Sequence, residues 1–167
     1  ESVGTYQWQR GLLSNQFSEK VRILTWKTSK PANRTVIWIT GEGSQELSAP
    51  NNEPHLEVKR LLRAGVHVIS ADLLGQGPQS ENSNLNKNRL VSRIRDSDPN
   101  QALHHHAAYT FGYNYPLFTQ RVHDVLTIMS YVKTEWPQSS LELVGLGPVA
   151  GPIAVAARAQ SGKTLQK

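Results

Sequence analysis

The sequence predicts an α/β fold in which helices cover both faces of a mostly parallel sheet, giving three layers. Strand-like and helix-like segments alternate along the chain, which is typical of parallel strands joined by crossover helices. The 167 residues are 38% hydrophobic and include 12 Gly and 9 Pro, as in a globular domain with a sizeable core. We therefore expect one α/β domain built on this sheet.

Four segments predict strands. Residues 21–27 (VRILTWK) alternate between two faces and are rich in β-forming residues. Residues 35–40 (TVIWIT) and 66–71 (VHVISA) are nearly all apolar, as strands covered on both faces are. A short fourth strand is predicted at 141–144 (LELV).

Three segments predict helices. Residues 54–64 begin with Pro54, which suits a first turn, and place three leucines on one face. Residues 116–133 carry an apolar stripe at helical spacing. Residues 152–160 (PIAVAARAQ) form a third, small-residue helix.

The remaining segments define the domain organisation. Residues 1–20 are assigned to an amino-terminal extension, and 21–167 to the domain itself. Residues 78–113 are polar and lack strong periodicity, which is typical of a functional or mobile loop.

This loop contains two groups of polar residues that invite a functional interpretation. The consecutive residues His104, His105 and His106 cannot all face one metal, and zinc ligands are usually spaced, so a solvated or loop-packing role is favoured. A basic cluster precedes them, namely Lys87, Arg89, Arg93 and Arg95. Acidic residues follow it and no aromatic residue interrupts it, which favours a solvated face over a nucleic-acid site.

Composition excludes several functional classes. The 18 basic and 13 acidic residues give a net charge of +5, too small and too scattered to indicate a nucleic-acid partner. The absence of Cys excludes disulfides, thiolate nucleophiles and zinc sites built on Cys. The weakly polar stretch 144–157 is interrupted by Gly and Pro and is too short to span a bilayer, so no membrane partner is expected. No metal or cofactor is expected, and no compartment is assigned.

Candidate functional residues cluster in three turns that follow predicted strands. Ligands bind at the carboxyl ends of strands in open α/β sheets. The candidates are Gly41, Gly43 and Ser44 in the first turn, Asp72, Gly75 and Gly77 in the second, and Gly145, Gly147, Pro148 and Gly151 in the third.

The third turn admits three interpretations. Gly145-x-Gly147-x-x-x-Gly151 lies between a strand and a helix, as a dinucleotide fingerprint does, but no acidic residue follows it to hold a ribose. A structural turn that lets a small-residue helix approach the sheet is the second interpretation. The third is a nucleophile elbow, G-x-S-x-G.

Four segments bear on the third interpretation: VIWITGEGS at 36–44, GVHVISADLLGQG at 65–77, YTFGYNYPLFTQRVHDVLTIMSYVK at 109–133 and LELVGLGPVAGPIAVAARA at 141–159. In order and spacing the chain resembles the α/β-hydrolase superfamily, in particular its acetyl xylan esterase-like and dienelactone hydrolase-like branch. The resemblance covers roughly residues 21–159. It implies a partial α/β-hydrolase-type sheet whose carboxyl-terminal strands are missing, and an esterase ancestor acting on acylated carbohydrate or a similar ester. It also implies an oxyanion loop at Gly41–Ser44 and a loop Asp72 that orders main-chain N–H groups.

The family pattern breaks at the elbow. Gly147 stands where the nucleophilic Ser belongs, and no Ser, Cys, Thr or Asp lies within 143–160. In this fold the next residue donates its main-chain N–H to the oxyanion, and here it is Pro148, which has none. Ser44 is the best-placed hydroxyl elsewhere, but no base can be assigned to it. We therefore expect a degenerate elbow and a vestigial oxyanion loop.

Three further titratable residues have structural interpretations. His67 lies inside a buried strand and is expected to be a satisfied core histidine. His123 and Asp124 are adjacent on a helix, where neighbours diverge, so they do not form a catalytic dyad. We expect them to anchor the helix to the long loop.

The resemblance also implies that strands carrying the acid and the His of a triad follow the elbow. The chain ends one helix after it, and the strand from Leu141 to Val144 would be an uncovered parallel edge. We expect the rest of the polypeptide or another subunit to complete the sheet. The resulting hypothesis is a catalytically degenerate, acetyl xylan esterase-like α/β-hydrolase domain that is a fragment or subunit of a larger protein. It would act as a scaffold or as a ligand-binding module for a carbohydrate or an ester. The alternatives are part of an active ester hydrolase whose catalytic residues lie elsewhere, and a dinucleotide-binding domain.

Overall fold

The structure is a computed structural model that describes residues 6–16, 19–29, 32–49, 51–77 and 115–162. Its strands are β1 (Tyr6–Ser14), β2 (Lys20–Thr28), β3 (Arg34–Ile39), β4 (Val66–Asp72) and β5 (Ser140–Gly145). Its α-helices are α1 (Leu56–Arg63), α2 (Leu117–Glu135) and α3 (Gly147–Gln160), and a short 3-10 helix spans Ser44–Leu47. The loop predicted at 78–113, with its basic cluster and His104–His106, lies outside the described residues.

The strands form one mixed sheet in the order β1-β2-β4-β3-β5. The last three strands along the chain are parallel to one another, as the alternation of elements predicts. β2 runs antiparallel to both β1 and β4. β1 ends at Ser14 and β2 begins at Lys20, and Asn15 N donates to Glu19 O at 3.2 Å between them. A connection this short joins antiparallel strands only. The sheet is therefore parallel only in the half that carries the predicted turns.

β1 lies inside the segment that the sequence assigns to an amino-terminal extension, so the extension contributes a strand to the domain. Most of its side chains are exposed, because it is an edge strand that pairs with β2. It buries little apolar surface, and an exposed edge strand need not show the alternation that marks a half-buried one.

Alternate residues of each central strand enter two separate cores. Ile23, Ile37 and Ile69 pack under α2 and α3 on one face of the sheet. Leu24, Trp26 and Val68 pack against α1 on the other face. The predicted three-layer arrangement is therefore confirmed.

α3 begins five residues earlier than the prediction of 152–160, at Gly147. Pro148 occupies its first turn, where a missing N–H removes no helical bond. Pro152 lies inside the helix and does not start it. Within the described ranges, no helix has the length and hydropathy needed to cross a membrane.

Candidate functional site

The turns that follow β3, β4 and β5 meet at one edge of the sheet, because parallel strands end on the same side. The first two are joined by a bond from Gly77 N to Glu42 O (3.2 Å). The first and third also approach each other: a Cβ placed on Gly41 would lie 3.9 Å from the Cβ of Val149 in the first turn of α3. The structure therefore brings the three sets of candidate residues together.

Asp72 fixes the loop after β3. Its Oδ1 accepts hydrogen bonds from the main-chain N and the Oγ of Ser44, each 2.8 Å long. Gly43 and Gly77 flank this carboxylate with φ of +97° and +75°. A Cβ on Gly43 would lie 2.7 Å from Asp72 Oδ1, and one on Gly77 would lie 2.5 Å from Asp72 Cγ. Both positions therefore require glycine, for space as well as for conformation.

Gln76 joins the first two turns from inside, a role that the sequence analysis missed. Its side-chain nitrogen donates to the carbonyl oxygens of Thr40 (3.1 Å) and Gly41 (2.6 Å). Its side-chain oxygen accepts the N–H of Leu73 at 3.1 Å. A buried amide that satisfies three main-chain groups makes the two turns one rigid unit. The only signal of this role in the sequence is the position of Gln76 between two glycines, Gly75 and Gly77. Gly75 has a φ of +75°.

α2 holds the turn after β4 through Leu74. Asp124 Oδ2 accepts the N–H of Leu74 at 2.8 Å, and Arg121 Nε donates to its carbonyl oxygen at 2.9 Å. Burial raises the pKa of Asp124 to about 6, although the N–H of Leu74 acts in the opposite direction. The adjacent His123 contacts Glu19 Oε2 through Nδ1 at 2.8 Å. The two side chains thus make separate contacts.

The turn after β5 is a tight strand-to-helix turn. A Cβ on Gly145 would lie 2.5 Å from the carbonyl oxygen of Ala150 and 2.7 Å from the Cβ of Ala154, so glycine lets strand and helix touch. Gly147 has a φ of +82°, the left-handed conformation that a strained strand-to-helix turn needs. A Cβ placed on Gly147 would meet no atom within 4 Å. The tip of the turn is therefore open and has no side chain.

The hydroxyl of Ser44 and the imidazole of His67 both have structural partners. Ser44 Oγ donates to a carboxylate. His67 lies at the opposite end of β4 from Asp72, is buried, and accepts the N–H of Thr28 at Nδ1 (3.2 Å). Burial, and secondly the nearby Lys27, lower the pKa of His67. Its ring lies 5.2 Å from that of Trp136, which fits the expected core histidine.

A cleft of about 800 Å³ opens beside Ser44 and Asp72, over the β1–β2 hairpin. It is lined by Arg10, Gly11, Leu12, Arg22, Ile23, Leu24, Ser44, Gln45, Ser48, Ala49 and Asp72. In the part of the chain that the structure describes, no group of three His, Cys, Asp or Glu side chains could hold a metal ion.

Comparison with known proteins identifies the fold. No family model matches the sequence, and no curated protein is similar to it. Among solved structures, a thermostable carboxyl esterase from Bacillus coagulans superposes with a TM-score of 0.62 at 16% identity, over 95% of this chain and 42% of that one. A dienelactone hydrolase from Anabaena variabilis gives 0.62 at 15% identity, over 96% and 61%.

A third structure, a cold-adapted esterase from an Arctic intertidal metagenomic library, gives a TM-score of 0.52 at 14% identity, over 99% of this chain and 58% of that one. The chain therefore has the α/β-hydrolase fold that its motifs indicate. It spans about half the length of these three proteins, between 42% and 61% of each.

Proposed function

We propose that this chain is a catalytically degenerate α/β-hydrolase domain, related to the acetyl xylan esterase-like and dienelactone hydrolase-like branch, which serves as a scaffold or ligand-binding module. The observation that carries the proposal is Gly147. It occupies the left-handed tip of an intact strand-to-helix turn, where the fold would present its nucleophile.

The main-chain donors near this tip support the same proposal. Pro148 has no N–H to offer an oxyanion. The N–H of Gly41 is bound to Glu46 Oε2 at 3.2 Å, and that of Ser44 is bound to Asp72. Loss of a single oxyanion donor costs about 10²–10³ in kcat in a serine hydrolase, so loss of donor and nucleophile together leaves little catalysis.

An active enzyme is the alternative. The structures that superpose on the chain include esterases, and the chain spans about half of their length. In this alternative the catalytic residues lie elsewhere in a longer polypeptide, and the substrate is a carbohydrate ester or another carboxylic ester.

A dinucleotide site is less well supported. Close packing against α3 already accounts for Gly145, and Gly151 lies in ordinary contact with the oxygen of Gly145 (3.7 Å from a placed Cβ). Stabilisation of the protein by NAD in a thermal melt would revive this alternative.

We also propose that the rest of the polypeptide, or another subunit, completes the sheet beside β5. Among the described strands, β5 pairs with β3 alone. Leu143 and Val144 are half-buried on its two faces, so the edge exposes apolar side chains as well as main-chain groups. Native proteins usually cover such edges.

Hydrolysis of p-nitrophenyl acetate by the full-length protein tests the main proposal. We expect no turnover above buffer, and no change in Ser44→Ala or in Ser130→Ala, an exposed serine of α2 that serves as the control. Turnover abolished by Ser44→Ala alone would contradict the proposal. Turnover that survives both changes would favour the alternative enzyme.

A further inference from the structure

The cleft over the β1–β2 hairpin carries a net positive charge. Its lining includes two arginines, Arg10 and Arg22, and a single acidic residue, Asp72. Oδ1 of that carboxylate already accepts two bonds from Ser44. Among the described residues, neither arginine forms an ion pair.

The two arginines lie on the same face of the hairpin. Arg10 is opposite Leu24 and Arg22 is opposite Leu12, which makes the arginines diagonal neighbours. Such neighbours are about 7–8 Å apart at the main chain, close enough for two long side chains to reach one small anion.

Arg10 is held in place by a neutral group. Its Nε donates to Asn52 Oδ1 at 2.9 Å, so the guanidinium is oriented while its charge is left uncompensated. Arg22 is half-buried and also lines the cleft. A carboxylate that bridges the two guanidinium groups would accept hydrogen bonds from both, and such charge-assisted bonds are among the strongest in proteins.

The cleft also offers an apolar surface. Its lining includes Leu12, which is 55% exposed, the buried Leu24, and Ala49 in the loop after the 3-10 helix. A volume of about 800 Å³ is within the usual range of small-molecule sites.

We propose that this cleft binds a small organic carboxylate, whose charged group bridges Arg10 and Arg22 and whose apolar part lies along Leu12. The site is separate from the turn at Gly147. It therefore does not depend on whether that turn is catalytically degenerate.

Titration of the full chain with hexanoate, followed by NMR shifts of the arginine Nε–H signals, tests the proposal. Hexanamide is the matched uncharged probe. We expect saturable binding of hexanoate, and binding of hexanamide at least ten-fold weaker, because the amide lacks the charge-assisted bonds.

Arg22→Gln and Arg10→Gln should each weaken hexanoate binding by about ten-fold, since each removes one guanidinium. Arg63→Gln, which removes the same charge from an exposed position on α1, should leave the Kd within about two-fold. Arg22→Lys keeps the charge without the planar fork and should bind with intermediate affinity. It replaces Arg22→Gln if that variant does not fold.

Three results would overturn the proposal. They are equal affinity for hexanoate and hexanamide, arginine variants that bind as Arg63→Gln does, and no saturable binding of hexanoate. Because these readouts measure binding rather than turnover, they stand apart from the ester-hydrolysis test.

Discussion

Gly145 and Ala154 are in such close contact that a Cβ on the glycine would lie only 2.7 Å from the Cβ of the alanine. The carbonyl oxygen of Ala150 would be closer still, at 2.5 Å. The position of α3 on the sheet, and with it the turn at Gly147, depends on this missing side chain.

Gly145→Ala should therefore destabilise the protein. The added methyl group meets main-chain atoms that cannot move independently, and overpacking of this kind costs about 1–3 kcal/mol in the free energy of unfolding. Urea denaturation measures the change. Gly151→Ala is the control, because its Cβ would be in ordinary contact inside the helix, and it should be neutral or stabilise by up to about 1 kcal/mol. Equal effects of the two substitutions would contradict the tight contact.

Gly147→Ser should fold but should not create an esterase. Its side chain would enter open space, so the cost is confined to the left-handed conformation, about 1–2 kcal/mol. Pro148 still provides no oxyanion donor. We expect a lowered urea midpoint and no hydrolysis of p-nitrophenyl acetate above the parent protein. A gain of a hundred-fold in rate would show that the rest of a catalytic site is in place.

Asp72→Ala should cost more stability than Ser44→Ala. The first change removes the acceptor of two hydrogen bonds and leaves the N–H of Ser44 without its partner, at about 2–3 kcal/mol. The second removes only the hydroxyl bond, at about 1 kcal/mol. Asp72→Asn keeps an acceptor oxygen and should fall between them. If Ser44→Ala were the more harmful change by chemical denaturation, the anchoring role of Asp72 would be wrong.

Stability should decrease as the pH rises through the titration of Asp124. Its pKa is raised from 3.8 to about 6 in the folded protein, so between these values the folded state binds more protons than the unfolded state. The contribution of Asp124 to the free energy of unfolding is then largest below pH 4 and declines until about pH 7. The comparison is the unfolding free energy of the parent minus that of Asp124→Asn, measured across this range.

Neighbouring charges must be held constant in that measurement. Glu19, His123 and Arg121 all act on the Asp124 carboxyl. Repeating the series in a His123→Gln background removes the effect of that side chain on Asp124. A difference that stays flat, or grows with pH, would contradict a raised pKa.

The sequence predicts the elements that are patterned by burial. β2, β3, β4 and β5 all bury apolar side chains and were found within two residues of their ends. The sequence does not predict β1, because the side chains of this strand are mostly exposed at the sheet edge. The start of α3 was misplaced because Pro152, which reads as a first-turn proline, is tolerated inside the helix.

The sequence likewise predicts one part of the candidate site, the turn glycines, and does not predict the contacts between distant residues. The glycines of the three turns are visible in the sequence, because positive φ and close approach of other atoms allow few other residue types there. The contacts of Gln76 with Thr40, and of Asp124 with Leu74, join residues 36 and 50 positions apart. Such pairs depend on how elements pack in space, and no local pattern encodes them.

The edge of β5 that no described strand covers has a consequence for handling the protein. Its apolar strand offers a template onto which another chain can add, the contact from which intermolecular sheets grow. Light scattering from this chain by itself should rise more steeply than in proportion to concentration, and a charge placed at Val144 (Val144→Lys) should suppress the excess. The strand that would pair with a further strand of the sheet is thus also the site at which aggregation begins when that further strand is absent.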